Sequence, residues 1–209
     1  MKETLSELAS YVRLAWDRQL TESTSGNMSV RIDDKIYITP TFFIKHFFTV
    51  NDFVVLNMDG KKISGKFEAS SEYRMHIKIY KERNEIKSVF HAHPRWSLIH
   101  AVTHKKLPSS ILPETIFMLR DIDYLPYRMA GTDEFAEIFS QGLKKGKRTY
   151  ILENHGVTTI GESIKEAFAR LESLETCSFI SVVGSLVKEN IKEIPQDEVK
   201  KILDKLSGK

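Results

Sequence analysis

The sequence is poor in the residues that build disulfide-linked or membrane-spanning proteins. Its 209 residues include a single cysteine, Cys177, which excludes an intrachain disulfide and thiolate-rich zinc sites. No apolar run approaches the roughly 20 residues of a membrane-spanning helix, and the first residues lack the apolar core of a secretory signal. We therefore expect a cytoplasmic protein.

The sequence also lacks a strong charge of one sign. Its 31 basic and 28 acidic residues give a formal net charge of +3, and the two kinds are interspersed over most of the length. Nucleic-acid binding favours clustered basic residues, and the short basic stretch at residues 144–148 is typical of a solvated turn. We expect neither a nucleic acid nor a membrane as a partner.

Helix and strand patterns alternate along the chain without a linker, a repeat or a low-complexity segment between them. Apolar spacings of three and four residues predict helices, and alternation predicts short strands. The predicted helices span residues 5–20, 72–82, 95–103, 133–143, 163–187 and 196–206, and the predicted strands span 28–32, 35–39, 53–58, 61–63, 89–93, 149–152 and 157–160. Residues 107–131 show little periodicity. This order indicates one α/β domain over residues 1–209.

Two of the seven histidines lie one residue apart in the segment VFHAHPRW, residues 89–96. Side chains alternate along a strand, so His91 and His93 would face the same side, where two imidazoles can share a metal ion. Two solvated histidines on an edge strand are an equally good interpretation of an isolated pair. A third histidine, His155, precedes a glycine at a predicted turn, and three imidazoles with an open fourth position form a familiar catalytic zinc arrangement.

Several short polar segments are candidates for binding an anion or a metal. Glu72 lies in ASSE at the start of a predicted helix, where an acid also simply favours the helix dipole. The segments TSGN (24–27), TPT (39–41) and Ser70–Ser71 present hydroxyls, an amide and a glycine that can surround an anion. Each segment by itself is more often an ordinary turn or helix cap.

In their order and spacing, the segments TSGNMSVR, YITPT, ASSE, HAHP and NHG resemble the class II aldolase/adducin family from about Leu5 to Ile180. The likeness is greatest to its aldolases that act on fuculose 1-phosphate. It implies an α/β/α three-layer fold with a central, mainly antiparallel sheet, and a homotetramer with active sites at subunit interfaces. The implied metal ligands for Zn²⁺, or another divalent ion, are His91, His93, His155 and Glu72. The implied phosphate-binding residues are Ser25, Gly26, Asn27, Thr41, Ser70 and Ser71.

The resemblance also implies a reaction. A ketose 1-phosphate would be cleaved reversibly to dihydroxyacetone phosphate and an aldehyde, with Glu72 as the catalytic acid/base. In the family, a tyrosine of the neighbouring subunit protonates the aldehyde oxygen. The matching position lies near Leu112, and Tyr124 or Tyr127 could substitute for it.

Other functions stay open at this point. One is a metal-dependent dehydratase of a methylthioribulose-1-phosphate-like sugar, which would use the same three histidines; family epimerases normally carry Asp in place of Glu72 and rank lower. Another is a non-catalytic binding module like the adducin head domain. The presence of all three histidines and of Glu72 argues against this alternative. Glu114 lies where the related dehydratases keep a catalytic glutamate, although it also fits a helix-start acid after Pro113.

Three further residues bear on the site. The family usually has glycine after the residue that matches Thr41, and Phe42 at that position would reshape or block the approach of backbone to phosphate. His76 lies one turn after Glu72, where it would either orient that glutamate or pack in the core. Lys45 could help neutralise a phosphate, although loop lysines are usually just solvated.

Overall fold

A computed structural model describes residues 1–119, 121–187 and 191–206. The helices are α1 (Lys2–Asp17), α2 (Tyr73–Glu82), α3 (Arg95–Thr103), α4 (Pro113–Leu119), α5 (Asp133–Glu137), α6 (Ser140–Lys144), α7 (Ile164–Leu186) and α8 (Gln196–Leu206). The strands are β1 (Asn27–Ile32), β2 (Lys35–Ile38), β3 (Val54–Asn57), β4 (Lys62–Ser64), β5 (Ser88–Ala92), β6 (Ile122–Leu125), β7 (Thr149–Leu152) and β8 (Gly156–Gly161). Two short 3₁₀ helices, Lys45–Phe47 and Val50–Asp52, lie between β2 and β3.

The strands form one eight-stranded sheet in the order β4-β3-β2-β1-β5-β8-β7-β6. All neighbouring pairs are antiparallel except β6 and β7, which run parallel. Every residue of β5 and β8 is buried, because these two strands lie near the middle of the sheet with helices above and below. The predicted mainly antiparallel sheet is confirmed.

Helices cover both faces of the sheet, and each face has its own hydrophobic core. One core joins α1, α3 and α7 to side chains such as Phe90 of β5, and the other joins α2, α5 and α6 to side chains such as Val89. Adjacent strand residues enter opposite cores because side chains alternate across a sheet. The chain therefore has the three-layer α/β/α architecture that the sequence predicted.

Two of the differences from the predicted elements have a clear physical reason. The predicted helix 133–143 is broken, since the Phe139 amide bonds the carbonyl of Ala136, three residues back, in a tighter turn that separates α5 from α6. Residues 107–131, which showed little periodicity, contain α4 and β6. Three of the four β6 residues are only half-buried at the sheet edge, so their side chains carry no clear alternation. No helix in the described ranges is long and apolar enough to cross a membrane.

Candidate functional site

The candidate site lies at the centre of the sheet, where strand register places three polar side chains in one row. His91 of β5 is the Cα partner of Asn27 on β1 and of Thr158 on β8. Directly opposed residues of neighbouring strands project to the same face. Nδ1 of the fully buried His91 lies 3.0 Å from Oγ1 of Thr158, and that hydroxyl in turn donates to the sulfur of Met75. Nδ1 of His91 is therefore the donating nitrogen, which leaves the lone pair on Nε2.

The other two predicted histidines meet His91 from chain segments that follow or precede the strands. His93 lies just beyond the end of β5, and its Nε2 is 3.2 Å from Nε2 of His91. His155 lies in the turn between β7 and β8. One ligand nitrogen from each of the three imidazoles falls within 4.8 Å of the others. The structure thus brings together the three histidines that the sequence singled out.

The glycine of NHG has a packing reason to be there. A Cβ added at Gly156 would lie 2.6 Å from Cδ2 of His93 and 2.7 Å from the carbonyl oxygen of Ala92. Glycine therefore allows the His93 ring to lie directly against β8. Asn154, in the same turn, has φ of 52°, a left-handed conformation that asparagine tolerates.

Glu72 reaches the histidines from the helical layer, immediately before α2. Its Oε2 is 3.3 Å from Nε2 of His91, and its Oε1 is 3.2 Å from Nε2 of His155. In a tetrahedral site with bonds of about 2.0–2.1 Å, the ligand atoms are about 3.3 Å apart. Oε1 of Glu72 is also buried without a hydrogen bond. The donor set and its spacing therefore fit a divalent metal ion.

The protonation states of the histidines and of Glu72 also suit metal binding. Burial lowers the pKa of His91 well below its ordinary value and also lowers the pKa of His93, so both rings are in the neutral form that binds metals. Burial by itself would raise the pKa of Glu72. The contact with His155 and the hydrogen bond from Asn27 oppose it, and the pKa of Glu72 lies below its ordinary value, so Glu72 is a carboxylate.

A buried chain of hydrogen bonds holds Glu72 in position. Nδ2 of Asn27 donates to Oε2 of Glu72 at 2.6 Å, and Oδ1 of Asn27 lies 2.5 Å from Nε2 of His76. Nδ1 of His76 lies 2.7 Å from the Ser29 hydroxyl, which lies 2.7 Å from that of Tyr80. Burial lowers the pKa of His76 to about 4, so its neutral ring donates to Asn27 and accepts from Ser29.

Sequence reasoning left the role of His76 open and missed the two hydroxyls beyond it in the chain, those of Ser29 and Tyr80. Ser29 lies two residues after Asn27 on β1, hence on the same face, and Tyr80 lies one turn after His76 on α2. These spacings were visible in the sequence. The sequence did not show that α2 packs over β1, which is what brings the three side chains together.

A cavity of about 100 Å³ opens beside Glu72. Its lining residues are Thr24, Gly26, Asn27, Pro40, Thr41, Phe42, Ser70, Ser71 and Glu72. Five of the six residues predicted to bind phosphate are among them. The exception is Ser25, whose hydroxyl donates to Glu22 at 3.3 Å instead. A larger cleft of about 590 Å³ adjoins His93 and includes Trp16, Glu22 and Arg95.

The walls of the small cavity are fixed by backbone contacts. The Ser70 amide donates to the carbonyl of Thr39, and the Thr41 amide donates to that of Glu68, so the two hydroxyl-bearing loops lie side by side. Gly26 has φ of 72°, and a Cβ there would lie 2.7 Å from the carbonyl oxygen of His91. This position therefore requires glycine for both its conformation and its close approach to β5.

Phe42 has taken over the conformation that a glycine would adopt. Its φ is 50°, in the left-handed region where bulky residues are rare. Its side chain is 83% exposed and projects into solvent. The backbone beside the cavity therefore keeps a glycine-like path, at a cost in strain, and the phenylalanine does not fill the cavity floor.

The remaining candidates line neither the small cavity nor the cleft beside His93. Tyr124 accepts a hydrogen bond from the Leu107 amide at 2.8 Å, and Tyr127 is largely exposed. Glu114 is exposed in the first turn of α4, as expected of a helix-start acid. Lys45 is completely buried, which contradicts the solvated interpretation.

Residues 6–182 match the family model described as Class II Aldolase and Adducin N-terminal domain. The chain belongs to this family. It is 33% identical over 184 residues to an L-fuculose phosphate aldolase of Methanococcus maripaludis, covering 88% of this chain and 99% of the relative. The resemblance inferred from the sequence motifs is confirmed, and with it the expectation of a class II aldolase-type enzyme, a lyase.

Other relatives in the family carry different names. A 5-deoxy-D-ribulose 1-phosphate aldolase of Bacillus thuringiensis is 28% identical, with 100% of this chain and 97% of the relative covered. A 3-oxo-tetronate 4-phosphate decarboxylase of Haemophilus influenzae is also 28% identical, with 95% and 94% covered. Among solved structures, an L-fuculose 1-phosphate aldolase superposes with a TM-score of 0.86 at 25% identity over 99% of this chain and 97% of that chain. The fold and family are shared across these names, whereas the named substrates differ.

Proposed function

We propose that this chain is a zinc-dependent sugar-phosphate aldolase. It would reversibly cleave a ketose 1-phosphate, of the fuculose 1-phosphate type, to dihydroxyacetone phosphate and an aldehyde. The observation that carries the proposal is the convergence of His91, His93, His155 and Glu72 beside a small cavity lined by hydroxyls. The relatives named as aldolases of sugar 1-phosphates support the same conclusion.

The three histidines and Glu72 would hold the metal. When bound there, a divalent ion supplies Lewis-acid stabilisation, on the order of several kcal/mol, for negative charge on the substrate oxygens. Zn²⁺ suits a compact site of three imidazoles and a carboxylate, and Co²⁺, Ni²⁺ or Mn²⁺ would bind the same nitrogen and oxygen donors. The three imidazoles are neutral, so among the four ligands only the Glu72 carboxylate would reduce the charge of the ion.

Glu72 would be the catalytic acid/base. In the direction of synthesis, its carboxylate takes a proton from the carbon beside the ketone of dihydroxyacetone phosphate, and that carbon then attacks the aldehyde. In cleavage the electron pair of the broken carbon–carbon bond remains on that carbon, and Glu72 returns the proton to it. The chain through Asn27 and His76 keeps the carboxylate facing the reacting carbon.

The small cavity would bind the substrate phosphate. Hydroxyls of Thr41, Ser70 and Ser71, the Gly26 backbone and the remaining amide hydrogen of Asn27 surround it. Hydrogen-bond donors of this kind are typical of anion sites. Because this cavity adjoins Glu72, a phosphate held there leaves the sugar carbons next to the carboxylate.

We further propose that residues 1–209 form one cytoplasmic domain that assembles as a homotetramer. One sheet runs through all the described strands, which supports a single domain. Phe42 and Phe47 are 83% and 67% exposed, and a second subunit would cover such apolar side chains. A neighbouring subunit would also supply the proton donor for the aldehyde oxygen, for which Tyr124 and Tyr127 stay the candidates.

The test is release of dihydroxyacetone phosphate from a panel of ketose 1-phosphates by the zinc-loaded protein. The panel comprises the 1-phosphates of fuculose, rhamnulose, ribulose and 5-deoxyribulose. We expect release from at least one, and the ranking identifies the aldehyde half that the cleft accepts. Absence of release from all four, with zinc shown to be bound, would refute the aldolase proposal in favour of dehydration or an unphosphorylated substrate.

A glycine at position 42 tests whether the phenylalanine impairs this site. The Phe42→Gly variant should relieve a left-handed strain of about 1–2 kcal/mol, partly offset by the greater freedom of glycine in the unfolded chain, about 0.5–1 kcal/mol. Phe42→Ala is the matched control, because it removes the ring but keeps the Cβ. We expect Phe42→Gly to be the more stable of the two in urea unfolding, with unaltered phosphate affinity. Equal stabilities would contradict the strain at this position.

A further inference from the structure

Lys45 is a buried cation that the reaction described above does not use. Its side chain is completely buried at the start of the 3₁₀ helix Lys45–Phe47. Nζ donates to the carbonyl oxygens of Phe43 at 3.1 Å and of Thr24 at 3.4 Å. Fully buried lysines are rare unless paired with an acid, and none of the ion pairs among the described residues includes Lys45.

The acidic groups around Lys45 are engaged elsewhere. Asp17, on the packed helix α1, lies 3.8 Å from Nδ1 of His46, and Glu22 accepts a hydrogen bond from Ser25. Burial lowers the pKa of Lys45 to about 8, so the ammonium form still prevails at neutral pH. The fold therefore maintains a charge whose burial is unfavourable and which no carboxylate of a described residue balances.

The two carbonyls that hold Lys45 belong to the loops of the small cavity. Thr24 lines the cavity itself, and Phe43 directly follows Phe42, which also lines it. The lining includes the carboxylate of Glu72 but no lysine, arginine or histidine. A phosphate dianion bound there would have no protein cation in contact with it.

We infer that Lys45 is the cation of the small cavity: its buried ammonium lies behind the two loops, joins them and favours the binding of a phosphate group between them. It acts as a positioning and electrostatic residue that does not touch the ligand. The unbalanced charge is then explained, because the bound anion is its partner. The inference rests on the proposed function only in assigning that anion to a sugar phosphate.

The test measures two properties of the zinc-loaded Lys45→Met variant against those of the unaltered protein. They are the affinity for inorganic phosphate and the melting temperature. Methionine has a similar length and no charge. We expect the dissociation constant for phosphate to rise about tenfold or more, as for loss of one unit charge near a partly buried site. We expect the melting temperature to stay the same or to rise, because an unpaired buried charge has been removed. A purely structural lysine would instead lower the stability and leave the affinity of the folded protein unaltered.

Lys61→Met is the matched control, since it removes the same charge from an exposed position and should change neither quantity. Lys45→Gln, which keeps a hydrogen-bond donor on a shorter side chain, replaces the methionine variant if that variant does not fold. Unaltered phosphate affinity in a folded variant, or failure of both variants to fold, would overturn the inference. A lack of phosphate binding by the unaltered protein would also overturn it. Release of dihydroxyacetone phosphate, measured in parallel, shows whether the proposed function fails as well.

Discussion

The Glu72→Gln variant is expected to keep its zinc and to lose turnover by a factor of about 10²–10⁴ or more, the usual contribution of a positioned general acid/base. The amide has the shape of the carboxylate, and its oxygen can still accept the hydrogen bond from Asn27 and approach the metal. It has no oxygen basic enough to take a proton from carbon. The measurements are zinc content after dialysis and the rate of dihydroxyacetone phosphate release from the best substrate of the panel.

Glu68→Gln provides the control for this variant. Its side chain is 81% exposed, and only its backbone carbonyl contacts the cavity wall, through the Thr41 amide. We expect its rate and zinc content to match those of the unaltered protein. A Glu72→Gln variant with normal turnover would refute the proposed mechanism. Parallel loss of zinc and activity would instead reduce the role of Glu72 to that of a ligand.

Most of the fold could be predicted because its elements carry strong local signals. The strand around Phe90 is signalled by the apolar pair Val89–Phe90 and ended by Pro94, and Ser163 caps α7 through the amide of Glu166. The edge elements gave no such signal. Ile122–Leu125 is only partly buried and pairs with a single neighbour, so tertiary contacts decide its conformation rather than its side-chain pattern.

The candidate site was predictable only in part from local pattern. Alternation placed His91 and His93 on one side, but their meeting with His155 depends on the register of β5 against β8, which neither segment specifies alone. The family motifs supplied that long-range information. The motifs do not predict that Lys45 is buried, because the burial of a lysine depends on the loops that close over it.

His91→Ala is expected to lose most of the bound zinc. His91 is the only one of the three histidines that is completely buried, and it lies at the centre of the donor set, with Nε2 close to both His93 and Glu72. Its removal leaves two imidazoles and one carboxylate around a gap that a side chain no longer fills. The measurement is the dissociation constant for zinc by competition with a chelator, with far-UV circular dichroism to show that the variant is folded.

Two further variants distinguish the loss of a metal ligand from the loss of its orienting partner and from the loss of an unrelated histidine. Thr158→Val keeps His91 but removes the hydroxyl that accepts from its Nδ1, and loss of such an orienting partner typically weakens metal binding by about 10–100-fold. His46→Ala removes an exposed imidazole that is not part of the histidine cluster and should leave the zinc affinity unaltered. The expected order of affinities is therefore His46→Ala, then Thr158→Val, then His91→Ala. A fully loaded His91→Ala protein would show that the metal is bound elsewhere, whereas equal losses in Thr158→Val and His91→Ala would mean that orientation of the ring contributes as much as the ligand bond itself.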